Sequence, residues 1–137
     1  MATRSTIALE FADGTVGQVY CHWDGYLEHN GAILQDHYKD PFKLRDLIDL
    51  GDISSLASSI EKPAGHSFDK SVDGYTVFYG RDRGETGIEA RQFKNFEDYK
   101  ARHQYEEYEY ILRRDGEWYV SKYNGPYLML VAALETA

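Results

Sequence analysis

Hydrophobic and polar side chains alternate along the first part of the chain, in two short runs separated by a turn. Residues 6–11 place apolar side chains at every second position, which is the period of a half-buried strand. Asp13 and Gly14 follow, and residues 16–23 form a second β-prone run. Because Asp-Gly between two such runs is typical of a tight turn, these residues predict a β-hairpin. The inner face of its second strand is expected to carry Val19, Cys21 and Trp23.

A helical period replaces the alternation in the next segment. Residues 28–38 and 41–50 carry apolar side chains three or four positions apart, so each predicts a helix with one buried face. Asp40 precedes Pro41 and predicts a capped start for the second helix, because proline has no N–H to leave unpaired there. The side chains expected to face inward are Leu44, Leu47 and Ile48. Gly51 is expected to end this helix, and residues 52–56 are expected to add one short turn or helix.

The central part of the chain predicts a loop followed by a second hairpin. Residues 57–73 are rich in Ser, Pro, Gly, Lys and Asp, which is typical of a loop. Residues 74–79 are rich in β-branched and aromatic side chains and predict a strand. Residues 80–85 then form a polar turn, and residues 87–93 are expected to return as the antiparallel partner.

The last third of the chain predicts a third hairpin between two short helical segments. Residues 105–113 and 117–123 flank Asp115-Gly116 and predict two paired strands. The side chains expected on one face of the first of these strands are Tyr108, Tyr110 and Leu112. Asn95 predicts the cap of a short helix that ends near residue 102, and the proline before residues 127–134 favours a closing helix.

The order of these elements is ββ, αα, ββ, α, ββ, α. Hairpins dominate this order. Single strands and helices do not alternate as they would if helices connected parallel strands. The chain is therefore expected to form one α+β domain over residues 1–137. We expect an antiparallel sheet of about six strands in three hairpins, with helices packed mainly on one face.

Composition adds a soluble, acidic and aromatic character to this fold. Aromatic residues make up 15% of the chain, including 12 tyrosines, and the formal net charge is −8. This charge disfavours direct binding to nucleic acid or to an anionic membrane, but it permits binding to a basic protein surface. The single cysteine, Cys21, allows no internal disulfide, so a cytoplasmic location is expected. The longest apolar run, residues 127–134, is too short to span a bilayer.

The most unusual motif is Tyr-Cys-His-Trp-Asp-Gly-Tyr at residues 20–26. His22 and Asp24 lie two positions apart, so on a strand they would share a face and could act as a general acid–base pair or begin a metal site. Tyr20 and Tyr26 are candidates for ligand contacts beside them. The alternative is structural: His22 packs between tyrosines, and Asp24 caps the next turn. Cys21 points to the opposite, core face and is expected to be unreactive.

A second candidate site lies in the polar turn after residue 79. Arg81 and Arg83 could form a clamp for an anion, because guanidinium groups bind phosphate and carboxylate through two parallel hydrogen bonds. Glu85 could take part in acid–base chemistry there. Equally, these charges could pair with each other around an exposed turn. The chain has no phosphate-binding glycine loop and no zinc-ligand spacing, so no cofactor or metal is predicted.

The third candidate is a run of alternating acidic and aromatic side chains before the last hairpin. It could bind a basic protein surface, or it could be a strand with one solvated acidic side. Its members are Tyr105, Glu106, Glu107, Tyr108, Glu109 and Tyr110.

Four segments together resemble a family of small uncharacterised proteins from tailed phages, prophages and other mobile elements. These segments are residues 3–8, 20–26, 51–56 and 79–85, and the motif at 20–26 is the most distinctive. The resemblance covers most of the chain, except residues 57–73. It implies a phage gene product acting in the bacterial host cytoplasm, and it implies no particular activity or catalytic residue.

Two functions fit these observations. The favoured hypothesis is a non-enzymatic counter-defence inhibitor that binds a host protein through an acidic, tyrosine-rich surface. The alternative is a small enzyme or nucleotide- or anion-binding domain that uses His22 and Asp24 with Arg81, Arg83 and Glu85. The alternative requires both segments to face one cleft. Self-association into a homo-oligomer is a third expectation.

Overall fold

Two antiparallel hairpins form the middle of one open sheet. The computed structural model describes residues 2–103 and 105–136. Strands β1 (Ser5–Glu10) and β2 (Val16–Cys21) pair antiparallel around the Asp-Gly turn. Two later strands, Tyr108–Leu112 and Trp118–Lys122, form the second antiparallel pair. The first and third predicted hairpins are therefore confirmed.

The other elements surround these hairpins. A π-helical turn, Leu27–Gly31, leads directly into the first α-helix. In chain order the remaining elements of the described chain are α1 (Ala32–His37), α2 (Pro41–Asp49), β3 (Ile53–Ser55), β4 (Val77–Phe78), α3 (Tyr79–Arg83), β5 (Arg91–Phe93), α4 (Phe96–Arg102), β6 (Tyr108–Leu112), β7 (Trp118–Lys122), β8 (Leu128–Met129) and α5 (Leu130–Glu135). Residues 57–73 form the predicted loop, and α4 begins at the predicted cap, where the Asn95 side chain accepts the Asp98 N–H.

The sheet is mixed and has more strands than predicted. Its order is β4-β3-β2-β1-β6-β7-β8, and β5 pairs separately with β2. β1 lies parallel to β6, and β2 lies parallel to β3. The prediction of a purely antiparallel sheet of six strands was therefore wrong. Residues 52–56 were also predicted wrongly, because the Ile53–Ser55 segment extends along the end of β2 instead of continuing the helix.

The predicted central hairpin does not form. The predicted strand shortens to Val77–Phe78, with Tyr75 in an isolated bridge to Ser59, and the expected polar turn is the helix α3, which ends at Gly84 with a φ of 78°. The Asp82 carboxylate accepts the Phe78 N–H at 2.8 Å and so stabilises the first turn of this helix. β5 then pairs with the beginning of β2, not with β4.

The main core lies between one face of the sheet and helices α1, α2 and α5. Leu44, Leu47 and Ile48 are buried there, as predicted. The Trp118 indole N–H donates to the Tyr38 carbonyl oxygen at 3.2 Å, which ties the sheet to the end of α1. Trp23 does not join this core, since β2 ends at Cys21 and the indole is 44% exposed.

The opposite face of the sheet carries a smaller core under α4. Its buried members are Ala8, Val16, Phe93, Tyr99 and Ile111. The helices thus lie mainly on one face, with α4 on the other. No helix in the described chain has the length and apolar content needed to cross a membrane.

Candidate functional site

One end of the sheet brings together two of the three segments that the sequence singles out. β1 and β6 begin there, and β2 and β7 end there. The Tyr110 hydroxyl, from the segment at residues 105–110, donates to the Gly25 carbonyl oxygen, from the segment at residues 20–26, at 2.7 Å. The motif at residues 20–26 therefore adjoins the acidic, tyrosine-rich run at residues 105–110.

A groove of about 360 Å³ opens at this end. We call this surface the tyrosine end. Its lining residues are Arg4, Tyr105, Glu106, Glu107, Tyr123 and Asn124. The Glu107 carbonyl accepts the Tyr123 N–H at 2.8 Å, so the strands themselves hold the two walls of the groove together.

Two tyrosine rings of the groove are presented to solvent. Tyr105 is 48% exposed and Tyr123 is 69% exposed. Tyr123 lies 5.8 Å from the ring of the half-buried Tyr108, and Tyr105 packs its edge against His103 at 4.4 Å. Burial, and then the neighbouring Tyr123, raise the pKa of Tyr108. The aromatic side chains are therefore held in place by their neighbours while keeping a free surface.

Tyr20 connects the motif to the groove electrostatically. Burial raises the pKa of Tyr20 to about 12, with Arg4 lowering it and Glu106 raising it. The Tyr20 hydroxyl and the His22 Nδ1 atom are 2.6 Å apart, and the His22 ring meets Trp23 edge-on at 4.7 Å. His22 thus contacts neighbouring aromatic side chains, which corresponds to the structural alternative for this residue.

The strand geometry assumed for His22 and Asp24 is not present. Asp24, three residues beyond the end of β2, has a φ of 57°, which ends the extended backbone. Its carbonyl accepts the Asn30 N–H at 3.2 Å, and the chain turns there into the π-helical segment. Tyr26 lies close to His29, with ring centroids 6.2 Å apart. Cys21 is buried, and burial raises the pKa of its thiol to about 11, which keeps it protonated.

Arg81 and Arg83 make contacts within their own region. Arg81 donates to the Thr76 and Ile60 carbonyl oxygens and to the Asp82 carboxylate. Arg83 lies over the Phe68 ring at 4.7 Å. Glu85 is 3.7 Å from Arg83, and both are exposed. Among the described contacts, none joins these side chains to His22 or Asp24.

Glu109 and Tyr110 cannot contribute to a surface, because both are fully buried. Strand alternation turns Tyr110 into the main core and Glu109 toward α4, where its Oε2 atom lies 2.6 Å from His103 Nε2. The sequence contained a signal for this: Ile111 shares a face with Glu109, so that face had to be buried as well. This buried pair was missed because its partner lies on a separate element.

The Asp82 side chain holds the loop at residues 57–73 against α3. Besides Arg81 and the Phe78 N–H, its carboxylate lies 3.4 Å from His66 Nε2, and both side chains are fully buried. Burial alone would raise the pKa of Asp82, but the hydrogen bonds from Arg81 and the Phe78 N–H, together with the Arg81 charge, lower it below its ordinary value of 3.8.

This lowered pKa predicts an acid-sensitive loop. A carboxyl group with a depressed pKa stabilises the fold above its ordinary pKa, and that stabilisation is lost as the pH falls through the folded-state value. We expect the free energy of unfolding to fall more steeply below about pH 4 in the wild type than in Asp82→Asn. At pH 7 the variant should be less stable by about 1.5–3 kcal/mol, the range for hydrogen bonds to charged groups. Urea unfolding from pH 2 to 7 measures both, and parallel pH profiles would contradict this assignment.

Metal ligands do not cluster in the described part of the chain, where no group of three His, Cys, Asp or Glu side chains could hold an ion. Comparison of the chain with protein-family models, with curated proteins and with solved structures finds no match. The geometry of the tyrosine end is therefore the basis on which a function is assigned.

Proposed function

We propose that this chain is a non-enzymatic binding protein that recognises a basic protein surface through the tyrosine end. The observation that carries the proposal is the exposure of Tyr105 and Tyr123 on either side of one groove. Tyrosine supplies a large contact area with few rotatable bonds and a hydroxyl that can find a partner, which is why it is enriched at binding hot spots.

Charge supports a basic partner. Two glutamates and one arginine line the groove, in a chain with a net charge of −8. The negative electrostatic field of this molecule would steer a positively charged partner toward the tyrosine end and would act mainly on the rate of association. The Tyr20–Tyr26 motif would support this surface, since the Tyr110 hydroxyl joins Gly25 to β6.

The biological setting of the proposal comes from the resemblance to phage and mobile-element proteins. In that setting the partner would be a bacterial host protein, and the chain would act as a counter-defence inhibitor in the host cytoplasm. A basic surface on the host protein, such as one that contacts nucleic acid, is the kind of target that an acidic, tyrosine-rich surface fits.

A pair of variants tests the surface. Tyr105→Ser combined with Tyr123→Asn removes both exposed rings, and asparagine tolerates the φ of 52° at position 123. We expect this double variant to bind the partner captured from bacterial lysate at least about 30-fold more weakly, the loss of one hot spot of about 2 kcal/mol. Affinity should also fall as salt is raised from about 0.05 to 0.5 M.

Phe42→Ala is the matched control, because Phe42 is a 66% exposed aromatic residue that lies away from the tyrosine end. It should leave the affinity for the partner unchanged, and the melting temperature of each variant shows that it is folded. No specific partner at moderate salt, or an equal loss of affinity in Phe42→Ala, would refute the proposal. Light scattering identifies a second copy of the chain as the bound partner if the protein proves to be dimeric.

A further inference from the structure

A second groove lies at the opposite end of the sheet. It consists of two adjoining cavities of about 370 Å³ and 210 Å³. They open between the turn after β1, the start of α2 and the turn after β6. Both cavities are lined by Leu9, Glu10, Ala12 and Pro41.

The floor of this groove is apolar. Buried Leu9 and Leu112 close it from below, and half-buried Phe11 lines one side. Phe42 stands at the edge of the smaller cavity and is 66% exposed. An aromatic side chain with this exposure beside an apolar floor leaves surface that an apolar ligand could cover.

The rim of the groove is cationic in an otherwise acidic molecule. Arg45, Arg113 and Arg114 line the two cavities, against one carboxylate, Glu10. Glu10 is already satisfied, since Arg113 Nε donates to it at 2.8 Å and the Arg114 N–H at 3.1 Å. Burial alone would raise the pKa of Glu10, but these bonds and charges together lower it, so it stays ionised.

The three arginine side chains have N–H donors that their described contacts do not use. Arg113 bonds Glu10 through Nε, and its guanidinium lies 3.6 Å from the Phe96 ring, which fixes its position. Arg114 and Arg45 are half exposed, and their ion pairs with Glu10 and Asp46 are long, at 3.7 and 3.9 Å. A guanidinium carries five N–H donors, so the contacts within the described part of the chain leave most of them for an anionic group.

We propose that this groove binds a small amphipathic anion, with its apolar body on the Leu9 and Leu112 floor and its carboxylate or phosphate head at the arginine rim. The volume falls within the range of small-ligand pockets. The three arginines against one carboxylate, in a chain of net charge −8, supply the charge complementarity. The site is independent of the proposed protein-binding surface, which lies at the other end of the strands.

The test titrates the full chain with decanoate and, separately, with decyl phosphate, each below its micelle concentration, and follows backbone amide shifts by NMR. Decanol provides the apolar body without charge, and inorganic phosphate provides the anion without an apolar body. We expect either amphipathic anion to bind at least about tenfold more tightly than decanol or inorganic phosphate, and the stronger of the two identifies the preferred head group. The shifted amides should lie in the turns after β1 and β6 and at the start of α2.

Variants separate the head-group contacts from the apolar contacts. Arg45→Gln with Arg114→Gln should weaken decanoate binding at least about tenfold and leave decanol unchanged. Ala12→Leu, at an exposed position that lines both cavities, should block both ligands. Tyr123→Asn, at the other end of the sheet, is the control that should bind normally.

Three results would overturn the site. They are equal affinity for decanol and decanoate, equal affinity for inorganic phosphate and decanoate, and amide shifts that map outside the groove. Retained binding in the double arginine variant would also refute it, and that variant decides the matter if Ala12→Leu proves unfolded. None of these results depends on the partner experiment, because Tyr105 and Tyr123 are unchanged in both groove variants.

Discussion

Replacing His103 by alanine is expected to lower the free energy of unfolding by about 3–5 kcal/mol, the cost of removing one partner from a buried histidine–carboxyl pair. His103 is 5% exposed and its partner Glu109 is fully buried, so alanine would leave a carboxyl group under α4 without its partner. For a domain of this size, the loss corresponds to a drop in melting temperature of roughly 10–20 °C.

The hydrogen bonds of the His103 ring determine how many protons the His103–Glu109 pair holds. His103 Nδ1 faces the Tyr99 carbonyl oxygen at 2.5 Å, and because a carbonyl only accepts, this nitrogen carries a proton. The 2.6 Å contact between Nε2 and Glu109 requires a second proton. The pair is therefore neutral as a whole, whichever atom holds that second proton. Removing the imidazole leaves either a buried charge or a carboxylic acid without its partner.

Two further variants make this prediction specific. Arg102, next to His103 in the chain, forms a surface i,i+4 pair with Asp98, and Arg102→Ala should cost less than about 1 kcal/mol. His103→Leu combined with Glu109→Leu removes both buried partners and should be more stable than His103→Ala alone, because no uncompensated polar group remains in the pair. Urea unfolding at pH 7 measures all three. Equal losses in Arg102→Ala and His103→Ala would show that the buried pair has no special role.

The parts of the fold that sequence patterns predicted are those held by neighbouring residues. The Asp-Gly turns fix the first and third predicted hairpins, and the Asp40 side chain accepts the Phe42 N–H at 2.9 Å at the start of α2, as the capping pattern predicted. The errors arise where distant segments decide the outcome. β6 joins β1 in a parallel pair across about a hundred residues, and no local pattern records that choice.

The same distinction applies to the candidate sites. Sequence patterns singled out residues 20–26, 79–85 and 105–110, but which of them meet depends on the β1–β6 pairing. That pairing brings the first and third segments together, whereas Arg81 is taken up by contacts with Ile60, Thr76 and Asp82. Exposure also differs within the segment at residues 105–110, since Glu106 and Glu107 line a groove while Glu109 is buried against His103.

The junction between the motif at residues 20–26 and β6 is sensitive to the addition of a single methyl group at Gly25. Its backbone N–H donates to the Thr3 carbonyl at 2.8 Å, and its carbonyl accepts the Tyr110 hydroxyl. A Cβ atom here would lie 2.7 Å from the Ser5 Cβ and 2.9 Å from the Thr3 carbonyl oxygen. Because the Thr3 oxygen belongs to the backbone, it cannot move aside as a flexible side chain would.

Gly25→Ala is therefore expected to lower the free energy of unfolding by about 3 kcal/mol, at the upper end of the range for overpacking. Gly65→Ala is the matched control: its φ is 82° and nothing lies within 4 Å, so only backbone strain of about 1 kcal/mol is expected. Urea unfolding measures both variants.

Adding Ser5→Gly tests the cause of the loss, because it removes the nearest atom, the Ser5 Cβ. Gly25→Ala should then cost measurably less in the Ser5→Gly background than in the wild type, with the Thr3 carbonyl accounting for what remains. Costs that are equal in the two backgrounds would place the strain elsewhere. Because Gly25 connects the motif to β6 through Tyr110, the same variant should also weaken partner binding at the tyrosine end, while decanoate binding at the opposite groove persists in the folded fraction.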